Sequence, residues 1–84
     1  MDPAPQAHRV ELLTRSGCHL CDAAKATVAE VAARFGVEWR EVRIDGDQEL
    51  LARHAEEVPV LLVDGVPRDF WVIDAGRLER LLRS

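Results

Sequence analysis

The two cysteines of this chain, Cys18 and Cys21, are separated by two residues and lie where one sequence pattern gives way to another. An apolar run ends shortly before them, at Leu13. After them, apolar residues recur every three or four positions, at Leu20, Ala24, Val28, Val31 and Phe35. The first pattern is typical of a buried strand and the second of one face of a helix. The spacing therefore predicts a strand-to-helix turn that holds both thiols side by side on the first helical turn.

This position favours ionisation of the first thiol. The first backbone N–H groups of a helix have no partner within the helix, and the helix dipole places partial positive charge there. The dipole is worth about 0.3–2 kcal/mol, which lowers the pKa of a thiol by about one unit, so N–H donors and His19 are expected to supply the rest. We expect Cys18 to be the exposed nucleophile and Cys21, one turn later, to be the buried resolving thiol.

Cysteine pairs with this spacing also form half of many zinc sites, which take four ligands. The remaining candidates are His8, His19 and His54. His8 begins the strand that ends near Cys18, so roughly ten residues at about 3.3 Å each separate the two. We regard at most three of the candidate side chains as plausible ligands of one ion, which favours a redox dithiol over zinc, and we assign no metal ligand. Two inert structural cysteines are the third alternative.

The whole chain has 84 residues, of which 48% are hydrophobic, and a formal net charge of −4. This suits one small domain, which we assign to residues 8–84. The charge argues against a nucleic-acid partner, and no apolar run approaches the roughly 18 residues of a membrane helix. Residues 1–7 contain two prolines and no apolar signal core. We therefore expect a disordered tail at residues 1–7 and a cytoplasmic, monomeric protein without membrane contacts. In the cytoplasm, a lone and closely spaced cysteine pair is expected to be catalytic or metal-binding.

Turn and cap signals divide the rest of the chain. Asp45 or Asp47 can begin a second helix, and Asp74 can begin a closing helix. Asp-Gly at 64–65, between two apolar runs, predicts a hairpin. Strand, helix and strand in succession imply a right-handed parallel crossover. The predicted order is β-α-β-α-β-β-α, with strands at 8–14, 37–44, 60–63 and from 66 onward.

Three details refine this prediction. Gly36 is placed to end the first helix in the left-handed conformation. The apolar positions of the strand at 37–44 change phase, which indicates either a bulge or packing on both faces. Pro67 has no N–H to donate, so the last strand is expected at an edge of the sheet.

This order, with C-x-x-C opening the first helix, resembles the thioredoxin fold. The segment V-P-V-L-L-V-D-G at 58–65 narrows the resemblance to glutaredoxin-like proteins. Among these, the pattern T-R-x-G-C-x-L-C at 14–21 is most similar to a group of small bacterial proteins. The resemblance covers about residues 9–83. It implies an α/β fold with a four-stranded mixed sheet and helices on both faces.

The resemblance also implies roles for individual residues. Cys18 and Cys21 match the nucleophilic and resolving cysteines of the family, and Pro59 matches a cis-proline that packs against them. The bend there is expected to leave the backbone N–H and C=O of Val58 free to pair with an extended substrate. Arg15 falls where glutaredoxins often carry a lysine that binds the glycine carboxylate of glutathione.

Other positions depart from the glutathione-binding pattern. Glutaredoxins that bind glutathione well usually have an aromatic residue in or beside the C-x-x-C motif, where this chain has His19 and Leu20. A cationic His19 would favour the Cys18 thiolate; alternatively, its side chain is merely solvated. The family's Gly-Gly turn and acidic pair before the last helix are replaced by 70–76, where Asp74 is a single acidic remnant.

The residues and the resemblance together predict a thiol–disulfide oxidoreductase that reduces protein or low-molecular-weight mixed disulfides. No cofactor is expected to bind tightly, and glutathione or another small thiol is the expected reductant. The alternatives are an iron–sulfur or zinc-binding module, or a redox-inactive interaction domain, on the same fold.

Overall fold

The computed structural model describes residues 8–83, so the tail predicted at 1–7 lies outside the described residues. The predicted order of elements is confirmed; the first two strands are shorter than predicted, and the third has the predicted bounds. In chain order the elements are β1 (Val10–Thr14), α1 (His19–Phe35), β2 (Trp39–Arg43), α2 (Gln48–His54), β3 (Val60–Val63), β4 (Val66–Phe70) and α3 (Ala75–Arg83). Within the described range, no helix is long and apolar enough to span a bilayer.

The four strands form one mixed sheet in the order β2-β1-β3-β4. β1 runs parallel to β2 and antiparallel to β3, and β3 pairs antiparallel with β4. Every residue of β1 except Glu11 is buried, which explains why its sequence is almost continuously apolar. Because β1 has a partner on each side, its carboxyl end, which leads into the two cysteines, is held in place from both sides.

Helices cover both faces of the sheet, as predicted. Neighbouring residues of β1 point to opposite faces, so Leu12 packs toward α1 and α3 whereas Leu13 packs on the face covered by α2. The half-buried Leu50 and Leu51 are the apolar side of α2. The core between the sheet and the pair α1 and α3 includes Val10, Leu12, Ala24, Val28, Val31, Leu61, Leu78 and Leu82.

The predicted caps and turns are confirmed, with one choice settled. Gly36 ends α1 at φ 65°, in the left-handed region. Asp47, and not Asp45, caps α2, because its Oδ1 accepts hydrogen bonds of 3.0 Å from two backbone N–H groups of the first turn. Asp64 and Gly65 have φ of 55° and 82°, the pair of positive values that a two-residue hairpin turn requires.

The two alternatives for the second strand are also resolved. Over its whole described length β2 pairs with β1 in one continuous register, so the predicted bulge is wrong there. Trp39 packs on the α1 and α3 face and Val42 on the α2 face, so the apolar positions change phase because both faces are covered. The register shift lies instead in the β3–β4 pairing, between Leu61 and Leu62, near Pro67. Pro67 is on an edge strand, as predicted.

Asp64 ties the β3–β4 hairpin to the segment that enters β1. Its Oδ1 accepts a 2.8 Å hydrogen bond from the Arg9 N–H, and its Oδ2 lies 2.7 Å from His8 Nδ1. The Asp64 N–H donates in turn to the Arg9 carbonyl at 2.8 Å. The hydrogen bond from the Arg9 backbone, followed by that from His8, holds the pKa of Asp64 below its ordinary value.

We expect Asp64→Asn to remove a pH-dependent part of the stability while preserving the turn, because Asn also adopts positive φ. A carboxylate whose pKa is lowered by folding stabilises the folded state above the unfolded-chain pKa, and loses this effect as the pH falls through the folded-state pKa. The difference in free energy of unfolding between wild type and variant should therefore shrink below about pH 4. Urea unfolding over a pH series measures it, with the exposed Glu38→Gln as control. A difference that persists undiminished to about pH 3 contradicts this account.

Candidate functional site

Cys18 and Cys21 form a disulfide at the amino end of α1, with their Cα atoms 5.4 Å apart. Cys18 is the N-cap residue in an extended conformation, and its carbonyl accepts the Cys21 N–H at 3.3 Å. Gly17 makes the turn out of β1 at φ 76°, a value that favours glycine. The predicted strand-to-helix turn is therefore present, and it brings the two sulfur atoms into covalent contact.

The two cysteines differ in exposure. Cys18 is half-buried, whereas Cys21 is 4% exposed and packs with Leu13, Ile44 and Val58. The Cys18 side chain makes no capping hydrogen bond, so in the reduced protein a thiolate there would face the unpaired N–H groups of the first helical turn. This asymmetry fits an accessible attacking thiol and a shielded second thiol.

The loop that precedes β3 lies beside the disulfide. Its Val58–Pro59 peptide bond is cis, the geometry that the resemblance implies. Val58 is buried in the same cluster as Cys21, and Cys18 packs against that cluster. The Pro59 carbonyl accepts the Trp71 N–H at 2.9 Å. Within residues 8–83, neither backbone group of Val58 forms a hydrogen bond, as predicted from the bend at Pro59.

Arg15 and His19 flank the cysteines on the exposed surface. The Arg15 Nη1 donates a 2.9 Å hydrogen bond to the Ala55 carbonyl, at the end of α2. That contact braces the loop before Cys18 against a helix carboxyl end, where a cation is favoured. His19 is the first residue of α1. Both side chains line a cavity of about 340 Å³ that also borders the two cysteines.

Asp74 has a structural role at the corner between β4 and α3. Its Oδ1 accepts hydrogen bonds from the N–H groups of Gly76 at 2.8 Å and Arg77 at 3.2 Å, which caps α3 as predicted. Its own N–H donates to Asp69 Oδ2 at 2.9 Å. In the described chain the hydrogen bonds of Asp74 all lie within this corner, so the structure does not join it to the disulfide.

Polar side chains that the sequence did not predict as part of the site form hydrogen bonds with Ser16, in the loop before Cys18. Asp45 Oδ1 accepts the Ser16 N–H at 3.1 Å, and Arg43 reaches both residues, donating to Ser16 Oγ at 2.8 Å and to Asp45 Oδ2 at 3.2 Å. The backbone hydrogen bond from Ser16, with the one side-chain hydrogen bond from Arg43, keeps the pKa of Asp45 below its ordinary value. Asp45 therefore fixes the loop instead of capping α2.

A second group that the sequence did not predict is formed by Thr14, Glu41 and Lys25. Thr14, the last residue of β1, is 1% exposed, and its Oγ1 donates to Glu41 Oε2 at 2.6 Å. The Nζ of Lys25, on α1, lies 3.6 Å from the same oxygen. All three side chains line the cavity beside the cysteines. Alternation along β2 places Glu41 on the same face as Trp39, and this was the only sequence signal for the group.

The histidines considered as zinc ligands are spread over the fold. His8 contacts Asp64 at the hairpin turn, and His54 Nδ1 lies 3.1 Å from Glu57 Oε1 at the end of α2. Only His19 borders the cysteines in the described chain. Among residues 8–83, no group of three or more His, Cys, Asp or Glu side chains is arranged to hold a metal ion.

A mixed four-stranded sheet with helices on both faces, and a disulfide opening the first helix, defines a thioredoxin-fold protein. The family model described as glutaredoxin-like domain (DUF836) matches residues 9–83. The chain therefore belongs to this glutaredoxin-like family. Family, fold and cysteine pair together support a redox-type role.

Several known proteins are similar to the chain. The uncharacterized protein Rv0508 of Mycobacterium tuberculosis is 33% identical over 75 residues, which cover 83% of this chain and 77% of the relative. The X-ray structure of protein XcR50 from X. campestris is 36% identical with a TM-score of 0.70, over 88% of this chain and 95% of that one. A mutant thioredoxin from Halobacterium salinarum is 20% identical with a TM-score of 0.69, over 93% of this chain and 74% of that one. At this identity the likeness shows only that the fold is shared.

We expect the two reduced thiols to react with iodoacetamide at different pH. In Cys21→Ser, the remaining Cys18 lies at the helix amino end, so its pKa should be lowered and alkylation should begin below the pH that a free thiol requires. In Cys18→Ser, the shielded Cys21 should react slowly and only at higher pH. Alkylation rates of both variants over a pH series measure this, and each variant is the control for the other. Coinciding pH profiles would refute the argument.

Proposed function

We propose that this protein is a thiol–disulfide oxidoreductase that reduces disulfides with its Cys18 and Cys21 dithiol. The observation that supports this proposal most strongly is the unequal exposure of two cysteines at one helix amino end. A partly accessible thiol at that position is activated as a nucleophile, and a shielded thiol one turn later is close enough to displace whatever the first has bound.

The proposed reaction has two exchange steps. The Cys18 thiolate attacks one sulfur of a substrate disulfide, so a mixed disulfide forms and one substrate thiolate leaves. The Cys21 sulfur then attacks Cys18, which forms the intramolecular disulfide and releases the second substrate thiolate. The dithiol loses two electrons and the substrate disulfide gains them. A small thiol such as glutathione, or another reductant of the cytoplasm, would return the protein to the dithiol form.

The loop beside the disulfide supports an extended segment as the substrate. The free N–H and C=O of Val58 can pair with a chain that lies alongside, as an added strand does. Such pairing would place a substrate cysteine near Cys18 without any side-chain recognition. Two large apolar side chains are also exposed, namely Leu20 between the two cysteines and Trp71, whose N–H donates to the Pro59 carbonyl.

We expect Cys21→Ser to accumulate a covalent adduct with its substrate. Without the second thiol the mixed disulfide on Cys18 has no internal route to resolution, so the adduct should persist until an external thiol is added. The measurement is non-reducing electrophoresis and mass spectrometry after incubation with an oxidised protein substrate. Cys18→Ser, which retains one thiol, is the matched control and should form little adduct. Equal trapping by both variants would contradict the assignment of Cys18 as the attacking thiol.

We expect weak activity in a glutathione-coupled assay and better activity on a protein disulfide or on another small thiol's disulfide. The groups that could meet glutathione have other partners here, because Arg15 binds the Ala55 carbonyl and Asp74 caps α3. Exposed Trp71 and Val72 stand where the family's glycine turn would be. Losing one charge-assisted contact costs about 1.5–3 kcal/mol, or roughly ten- to a hundredfold in affinity.

The comparison uses kcat/KM for a glutathione mixed disulfide and for a protein disulfide under the same reductant. Arg15→Ala should change neither value by more than about threefold, since a solvated or bracing arginine contributes little to binding. Efficient glutathione turnover that is lost in Arg15→Ala would overturn the expected preference.

A further inference from the structure

We propose that Glu41 accepts the proton of Cys21 when that thiol resolves the mixed disulfide, and that Thr14 and Lys25 position its carboxylate. This inference rests on the proposed function, and it assigns a chemical role to side chains that the cysteine motif does not include.

The carboxylate of Glu41 is held in place from two elements. The buried Thr14 hydroxyl donates to Oε2 at 2.6 Å from the end of β1. Lys25 approaches the same oxygen to 3.6 Å from α1. Lys25 follows Cys21 by four positions on that helix, so the two side chains are neighbours on one face. The carboxylate, its ammonium partner and the resolving cysteine are therefore brought to one place by α1 and β2.

Cys21 needs such an acceptor more than Cys18 does. It is 4% exposed and surrounded by Leu13, Ile44 and Val58, so bulk water reaches its sulfur poorly and a thiolate there is not solvated. The attack on Cys18 nevertheless requires the sulfur to give up its proton. A fixed carboxylate nearby can remove that proton as the new bond forms, which general base catalysis describes.

The cavity beside the cysteines connects the two groups. Cys18, Cys21, Thr14, Lys25 and Glu41 all line it. Its volume of about 340 Å³ exceeds the roughly 30 Å³ that one water molecule takes up in the liquid. A general base can act through one water, and the cavity has room for one between its lining groups.

Glu41 is the best placed acceptor among the charged groups that face this cavity. Asp22 is the second carboxylate, but its side chain is 90% exposed whereas that of Glu41 is 30% exposed. The imidazole of His19 is exposed on the first turn of α1, and the hydrogen bond that Thr14 donates goes to Glu41 and not to this ring. The remaining charged side chains are cations, which cannot take up a proton: Arg15, Lys25 and Arg43.

In the resolving step, the proton of the Cys21 thiol passes to the Glu41 carboxylate while the Cys21 sulfur bonds to the Cys18 sulfur. The bond between Cys18 and the substrate sulfur breaks, and its electron pair leaves with the substrate thiolate. The Glu41 carboxylic acid then gives the proton to that thiolate or to water, which restores the carboxylate.

The test is stopped-flow reaction of the reduced protein with the aromatic disulfide DTNB, which releases one coloured thiolate when Cys18 attacks and a second when Cys21 resolves the adduct. Glu41→Gln keeps an oxygen that accepts from Thr14 but is a far weaker base. We expect it to slow the second release by about tenfold or more and to change the first by less than about twofold. Glu38→Gln, an exposed change just before β2, is the control and should leave both phases unchanged.

The pH dependence separates proton transfer from a structural effect. Without an internal base, resolution should rise about tenfold per pH unit between about pH 6 and pH 8, as thiolate forms in solution. The wild type should show a shallower slope, and Glu41→Gln should restore the steep one. The wild type and Glu41→Gln have the same other charged or titratable groups facing the cavity: Arg15, His19, Asp22, Lys25 and Arg43.

If Glu41→Gln does not fold, two variants of Thr14 test the same role of the Glu41 carboxylate. Thr14→Val removes the hydroxyl that orients the carboxylate and should slow the second release, whereas Thr14→Ser should retain it. An unchanged second phase in Glu41→Gln, or equal second phases in the two Thr14 variants, overturns the role of Glu41. Absence of the first release, even in the wild type, would instead refute the proposed function.

Discussion

The structure depends on the pairing of β1 with a strand on each side. The helices bury both faces of β1, and its pairing with β2 continues to its last residue, where the Thr14 carbonyl accepts the Ile44 N–H at 2.9 Å. The chain can then turn at Gly17 and start α1 over a fixed point of the sheet. The position of Cys18 at a helix amino end is therefore a consequence of where β1 stops. Its chemistry follows from that position, because the unpaired N–H groups and the dipole act only within the first turn.

Features that local chemistry determines could be predicted from the sequence. The hairpin at Asp64, the end of α1 at Gly36 and the cap of α3 by Asp74 each depend on a few consecutive residues, and all three are present. The cysteine pair is of the same kind, since a strand pattern before it and a helix pattern after it fix the turn between them. The edge position of β4 also followed from one residue, Pro67, which has no N–H to donate.

Features that depend on how distant segments meet could not be read in this way. Asp45 and Asp47 are equally good caps by local rules, and only the contact of Asp45 with the Ser16 N–H separates their roles. Glu41 looks like an ordinary polar residue of an edge strand. It becomes part of the site because the parallel register places β2 beside the end of β1, within reach of Thr14. The parallel crossover was predictable, but the register and the side-chain directions that produce this contact were not.

The two sides of the disulfide are suited to different tasks. The side formed by Val58 and Pro59 combines apolar contacts with the Val58 backbone groups, which form no hydrogen bond within residues 8–83, and this suits the extended substrate proposed above. The opposite side is a polar cavity in which a threonine, a lysine and a carboxylate are already paired with one another. In the reaction proposed above, a substrate held on the first side would leave the second side free to take up the proton of Cys21. Because the two tasks would then fall to different elements, substrate preference could change through the loops around β3 and β4 while the resolving step, assigned to α1 and β2, stayed the same.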